Sequence, residues 1–162
     1  AFEIPVLTLT NVKGFEATVA AEKGIAIASA KLTYAFANAD VPKVNVITGE
    51  AYGSAYVSMN SKSLGADLVY AWPTASIGMM DSQLAAKIMY ADEIAAASDV
   101  AATVSEKAAE YAKLQSSVES AAARGYVDTI INPEDTRKYV AAAFEMLYTK
   151  REDRPDKKHG TV

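Results

Sequence analysis

The amino-acid sequence predicts an α/β fold built on parallel strands. Two observations carry that prediction. Short runs of β-branched and aliphatic residues alternate along the chain with alanine-rich stretches of helical period, and glycine or proline punctuates most junctions between them. A third observation bounds it: no short-period repeat and no Gly- or Ser-rich linker interrupts the 162 residues, so residues 1–162 read as one domain.

Ile4 to Val12 is strand-like, with Pro5 tolerable near its start. Asn11 to Phe15 then reads as a turn around Gly14. Val19 to Ala39 has helical spacing (Ile25, Leu32, Phe36) with a break expected at Gly24, and it ends before Pro42, which pushes its predecessor out of the helical region. Lys43 to Thr48 (KVNVIT) is the clearest strand. Gly49 to Gly53 is expected to turn tightly into a helix over Ser54 to Leu64. Asp67 to Trp72 is a strand ended by Pro73, and Ala75 to Met79 a short one. Gln83 to Ala123 is expected to be mostly helical, with a break and a cap at Ser98 and Asp99. Gly125 to Ile131 is a strand. Asn132-Pro133-Glu134-Asp135 opens a last helix, with proline first and acids in the first turn, running to about Lys150. The charged tail from Arg151 to Val162 is expected to be extended.

Composition narrows the functions available. The formal net charge is −4, which argues against a nucleic-acid partner. There is no cysteine, so disulfide frameworks, thiolate metal sites and cysteine nucleophiles are excluded; His159, in the tail, is the only histidine, which leaves no histidine-based triad or multi-histidine metal site. No apolar run is long enough for a membrane span and no signal peptide is visible, so a cytoplasmic location is expected. The chain enters a strand almost at Ala1, which suggests a fragment of a longer protein.

The stretch able to carry chemistry is Lys43 to Met59, KVNVITGEAYGSAYVSM. It reads as a strand, a glycine-rich turn and a helix opening on small residues. The first amides of a helix lack internal partners and sit at the positive end of its dipole. Small residues at Gly53, Ser54 and Ala55 would let a ligand oxygen approach that backbone, an arrangement suited to an oxyanion hole. Simple strand–helix packing explains the same residues, and spacing alone leaves both readings open. The stretch is not a P-loop, since no Gly-Lys-Ser/Thr follows, nor a dinucleotide fingerprint, since the glycines are wrongly spaced. Gly53-Ser54 lacks the second glycine and the base that a nucleophile elbow needs.

Three segments in order, VPKVNVITGEAYGSAYVSMNSKSLGADLVYAWPTASIGMM, AARGYVDTIINPEDTRKYV and RPDKKHG, resemble the biotin-dependent acyl-CoA carboxyltransferase family, and within it the C-terminal, biotin-side domain of the carboxyltransferase (β) subunit. Members include the propionyl-CoA carboxylase β subunit, the transcarboxylase core and the carboxyltransferase subunits of sodium-pumping decarboxylases. The resemblance implies a crotonase-like fold of stacked ββα units. It implies two such domains per subunit, the other one, N-terminal, binding acyl-CoA, with active sites where domains of two subunits meet. This domain alone would hold half a site. Expected partners are the N-terminal domain, a biotin carboxyl carrier, biotin carboxylase or membrane decarboxylase subunits, and further copies in a dimer or hexamer. The implied cofactor is biotin carried by a partner, and the substrate an acyl-CoA. The implied reaction moves a carboxyl group between carboxybiotin and the acyl α-carbon, with two backbone amides stabilising negative charge on the ureido oxygen.

Carried over by position, Ser54 and Ala55 would supply those amides, and Gly53, Tyr52, Tyr56, Val57, Gly14 and Phe15 would line the biotin and acyl pocket. The chain also departs from the family pattern. Ser54 replaces a glycine, which is costly only if that position needs a positive φ. Val57 stands where propionyl-type members carry aspartate, which hints at a different acyl group. Asn11 and Lys13 replace aspartate and proline, and Ile27 and Ala28 replace an Arg-His pair. These departures keep a non-catalytic assembly domain open as an alternative. Quieter readings are a strand-capping role for Trp72 and Pro73, structural ion pairs for Arg124 and Arg137, and a solvated or subunit-facing tail at Lys157-Lys158-His159.

Overall fold

The computed structural model describes residues 3–152. The tail residues Lys157 to His159 lie outside that range. Five strands form one parallel sheet: β1 (Val6–Val12), β2 (Lys43–Tyr52), β3 (Leu68–Ala71), β4 (Ser76–Gly78) and β5 (Thr129–Ile130). The path is β1-β2-β3-β5, with β4 paired to the last residues of β2. β2 is the centre. Val44 to Ile47 pair with β3 on one edge and β1 on the other, and Glu50 to Tyr52 pair with β4. Val44, Val46, Ile47 and Ala51 are wholly buried, as a strand covered on both faces requires.

The two faces bury different cores. Val44, Val46 and Tyr70 pack with Ile131, Ala143, Val140, Phe144 and Trp72, beneath the last helix, α8 (Thr136–Met146). Ile47, Ala51, Val69 and Ala71 pack with Tyr56, Ile77, Val118, Ala121 and Val127, drawing on α3 (Gly53–Val57) and α7 (Val118–Ala123). Trp72 has the structural role expected of it, its Nε1 donating to Thr136 Oγ1 at 2.9 Å.

The first helical stretch divides at Gly24 into α1 (Val19–Glu22) and α2 (Ile25–Asn38). The third divides into α4 (Ser82–Met89), α5 (Ala91–Ala96), α6 (Val100–Tyr111), a π-helical turn over Ala112–Ser116, and α7. Asp99 caps α6 as expected, accepting from the Ala102 amide at 3.0 Å. Asn132 precedes a 3₁₀ turn at Pro133–Asp135 that leads into α8, its carbonyl accepting from the Asp135 amide at 3.0 Å and its side chain making no cap.

Three expectations need correction. The strand expected over Gly125 to Ile131 is confined to Thr129–Ile130, because Gly125, at φ +81°, and Tyr126 close α7, their amides donating to the Ala122 and Ala121 carbonyls. Gly49 to Gly53 is not a tight turn, because β2 continues to Tyr52. The ladder with β1 slips between Thr10 and Val12, and the Asn11 side chain fills the gap, accepting from the Glu50 amide at 2.9 Å. Glycine at 49 makes room for it: a Cβ there would lie 2.7 Å from Asn11 Oδ1. The helix after Gly53 is also shorter than expected, ending at Val57. Asn60, wholly buried at φ 52°, turns the chain, and a separate 3₁₀ turn follows at Lys62–Leu64.

Candidate functional site

The junction of β2 and α3 lies beside the C-terminal end of β4. Gly53 takes the turn, with φ +61°, and its missing side chain leaves space for the Met79 carbonyl, 3.1 Å from where a Cβ would stand. The left-handed strain thus falls on glycine. Ser54 lies inside α3, and Glu3 and Asn60 are the non-glycine residues with positive φ among those described. Serine in place of glycine is conformationally harmless here. The amides opening α3 have no acceptor within the helix and no side chain caps them.

Two clefts, each of about 410 Å³, flank this turn and share Gly53, Ser54 and Met79. Lys13, Gly14, Phe15, Glu50, Tyr52, Ala55 and Leu84 also line the first. The structure therefore brings six of the eight sequence-derived site residues to one cleft: Gly14, Phe15, Tyr52, Gly53, Ser54 and Ala55. Tyr56 and Val57 open onto the second, with Ile77, Ala121, Arg124 and Tyr126. Ser54 is exposed while Ala55 is 4% exposed.

The tyrosines have separate duties. Tyr52 is buried, and its hydroxyl donates to Ser76 Oγ at 2.8 Å, fixing β2 to β4. Tyr56 is buried in the core with no hydrogen-bond partner for its hydroxyl. Burial first, and then the neighbouring Tyr126, push its phenol up to about 12.

The unusual residues of the first loop converge on one neighbour. Asn11 accepts from the Glu50 amide, and Lys13 Nζ lies 3.3 Å from the Glu50 carboxylate, at the rim of the first cleft. The lysine side chain is 80% exposed, so that ion pair contributes little to stability. Ile27 and Ala28 are exposed on α2 and line neither cleft. The expected arginine ion pairs do not form among the described residues. Arg124 donates to Gln115 Oε1 and the Leu114 carbonyl, and Arg137 is exposed on α8.

The sequence reading missed Met79, Met80, Asp81 and Leu84, which close the first cleft from the β4–α4 junction. The available signal was their place just beyond a parallel strand's C-terminal end, where α/β sheets present ligand sites.

The model of the carboxyl transferase domain matches residues 1–162, the whole chain. The chain belongs to the carboxyl transferase domain family. It is 49% identical over 167 residues to the propionyl-CoA carboxylase beta chain of Saccharopolyspora erythraea, covering 100% of this chain and 31% of that one. It is 48% identical over 163 residues to the methylmalonyl-CoA decarboxylase subunit alpha of Propionigenium modestum, covering 100% and 32%. A solved structure of transcarboxylase 12S, a hexamer described as a multienzyme core, with methylmalonyl-coenzyme A and methylmalonic acid bound, superposes with a TM-score of 0.94 at 46% identity, over 99% of this chain and 31% of that one. The carboxyl transferase domain described here therefore spans about a third of the length of these relatives, and it has their crotonase-like α/β fold. Among the described residues, no helix is long and apolar enough to cross a membrane.

Proposed function

We propose that this carboxyl transferase domain is the biotin-side half of an acyl-CoA carboxyltransferase, with the Ser54 and Ala55 amides as its oxyanion hole. The observation that carries the reading is the turn at Gly53: its positive φ sets an uncapped helix start on the wall of an open cleft. That observation also favours an enzyme over an assembly domain with a plugged site.

The residues present fit a cyclic urea. The first cleft has room for the ring and apolar walls at Phe15, Met79 and Leu84, and Ser54 and Ala55, at the uncapped start of α3, are among its lining residues. When bound, biotin supplies the carboxyl group in transit and the ureido oxygen on which charge develops. The domain supplies the rest. Ser54 and Ala55 direct N–H donors at that oxygen, where the loss of one donor costs ~10²–10³ in rate. Tyr52, held by Ser76, keeps β2 and β4 in register beneath the cleft. Val57, 38% exposed in the second cleft, faces the side assigned to the acyl group. No side-chain acid or base of this domain is needed, in keeping with a site of backbone donors.

The remaining half of the reaction is assigned to an N-terminal carboxyltransferase domain that binds the acyl-CoA. The proposed assembly comprises that domain, a biotin carboxyl carrier, biotin carboxylase or membrane decarboxylase subunits, and further copies of the subunit in a dimer or hexamer. The proposed location is the cytoplasm. Residues 1–162 are read as one domain of a longer two-domain subunit.

The test is carboxyl exchange between free biotin and a series of carboxylated acyl-CoAs by the full-length two-domain subunit. Exchange with at least one acyl-CoA is expected. A correctly assembled subunit that exchanges with none sinks the proposal.

A further inference from the structure

Ser58 follows α3 and is 4% exposed. Its hydroxyl has three partners. It lies 3.0 Å from the Ser54 carbonyl oxygen, 3.2 Å from Ser29 Oγ and 3.3 Å from Thr33 Oγ1. A hydroxyl has one proton and two lone pairs. The carbonyl can only accept, so the Ser58 proton goes to Ser54. Ser29 and Thr33, one turn apart on α2, must then both donate to Ser58. The arrangement is fully satisfied and has a single direction, from α2 through Ser58 to the Ser54 oxygen.

The Ser54 carbonyl and the Ala55 N–H belong to one planar peptide unit. Bonds at the oxygen fix the plane in which the N–H points, and they polarise that N–H. The oxygen accepts twice, from the Ser58 amide at 3.0 Å and from the Ser58 hydroxyl at 3.0 Å. We infer that Ser58 is a positioning residue, its hydroxyl orienting and strengthening the Ala55 amide as an anion donor, with Ser29 and Thr33 holding that hydroxyl in place. The inference rests on the proposed role of Ala55.

A donor at such a site is worth ~10²–10³ in rate, and a cooperative bond strengthens its neighbour by roughly 10–30%. Removing the hydroxyl should therefore lower kcat by about two- to eight-fold. The experiment uses the full-length two-domain subunit, measuring carboxyl exchange with free biotin. Ser58→Ala is expected to lower kcat in that range with KM unchanged, and Ser58→Thr to restore it. Thr136→Ala removes a hydroxyl of similar kind, the acceptor of Trp72, at a residue that lines neither cleft, and it should leave kcat at the wild-type value. If Ser58→Ala does not fold, Ser58→Cys keeps the shape with a weaker donor and should lower kcat at constant KM. A wild-type kcat in the stable Ser58 variant overturns the inference, as does a loss matched by Thr136→Ala. An inactive wild-type subunit overturns the proposed function itself and the inference with it, so the two failures are distinguishable.

Discussion

A side chain at Gly53 would begin 3.1 Å from the carbonyl oxygen of Met79. That carbonyl, just beyond β4, and the positive φ of Gly53 together define the turn from which α3 starts. Gly53→Ala meets both obstacles. A left-handed conformation costs a non-glycine residue roughly 1–2 kcal/mol, and the contact is tighter than ordinary van der Waals separation. The variant should lose about that much stability by urea denaturation. It should also lose at least ten-fold in carboxyl exchange, since relaxing the turn moves the first amides of α3. Wild-type exchange in a stable Gly53→Ala subunit would show that the geometry of this turn is dispensable.

Ser54 tests the same geometry from the other side. It is helical and exposed, and the role proposed for it belongs to its main chain. Ser54→Ala should keep exchange within about two-fold of wild type, and so should Ser54→Gly, while the glycine lowers stability by ~0.5–1 kcal/mol through backbone entropy. A collapse of activity in Ser54→Ala would instead assign a role to the hydroxyl. Labelling of Ser54 by a serine-reactive phosphonate would make that role nucleophilic; no labelling is expected.

The strands and most helix limits were legible because local chemistry dictates them: β-branched runs at β1 and β2, Gly24 between α1 and α2, and Asp99 at the start of α6. The extension of β2 through Gly49 was not. Glycines ordinarily mark turns, and the partner that keeps this stretch extended is Asn11, 38 residues earlier. The same limit hid Met79, Met80, Asp81 and Leu84, which follow β4 and join the first cleft through the pairing of β4 with the end of β2. The place of Gly53, Ser54 and Ala55 at a strand-to-helix junction was legible from the order of residue types, while spacing alone left packing and anion binding both open. The division of Tyr52 and Tyr56 between two adjoining clefts depends on which way each side chain leaves the chain, which residue types and spacing do not show.

Asn11 and Gly49 form a pair that mutation can separate. Gly49→Ala places a methyl group 2.7 Å from Asn11 Oδ1, so either that side chain or the strand must shift. The cost should be ~1–3 kcal/mol, the usual range for overpacking. Asn11→Ala removes the acceptor of the exposed Glu50 amide, which water can replace, and should cost about 1 kcal/mol or less. In the double variant the collision disappears. A double-mutant cycle by urea denaturation should therefore show the pair coupled by at least ~0.5 kcal/mol, with Gly49→Ala less harmful when Asn11 is absent. Additive costs would mean that β2 tolerates a side chain at residue 49 without help from its neighbour.

Tyr56 makes stability sensitive to alkali. Its phenol titrates at about 12 in the folded chain against 10.0 for an unperturbed tyrosine. Below the lower value both states keep the proton, and the contribution is fully present. As the pH rises through the interval the unfolded chain releases a proton that the folded chain retains. The unfolded state then binds fewer protons, so stability falls, by about 2–3 kcal/mol once the folded phenol itself titrates. Tyr70 is also raised, by burial first and then by Asp128 and Tyr139, so it adds a loss of the same sign. Tyr56→Phe removes one of the two contributions along with a buried hydroxyl that has no partner. Near neutral pH the variant should equal or exceed the wild type by up to ~1 kcal/mol, since an unsatisfied buried group is lost. At about pH 11 its advantage should widen by on the order of 1 kcal/mol. Urea unfolding of both proteins at the two pH values measures the difference directly, with the other tyrosines cancelling. An equal alkaline loss in both would mean that the Tyr56 phenol reaches water, or finds an acceptor, in the folded protein.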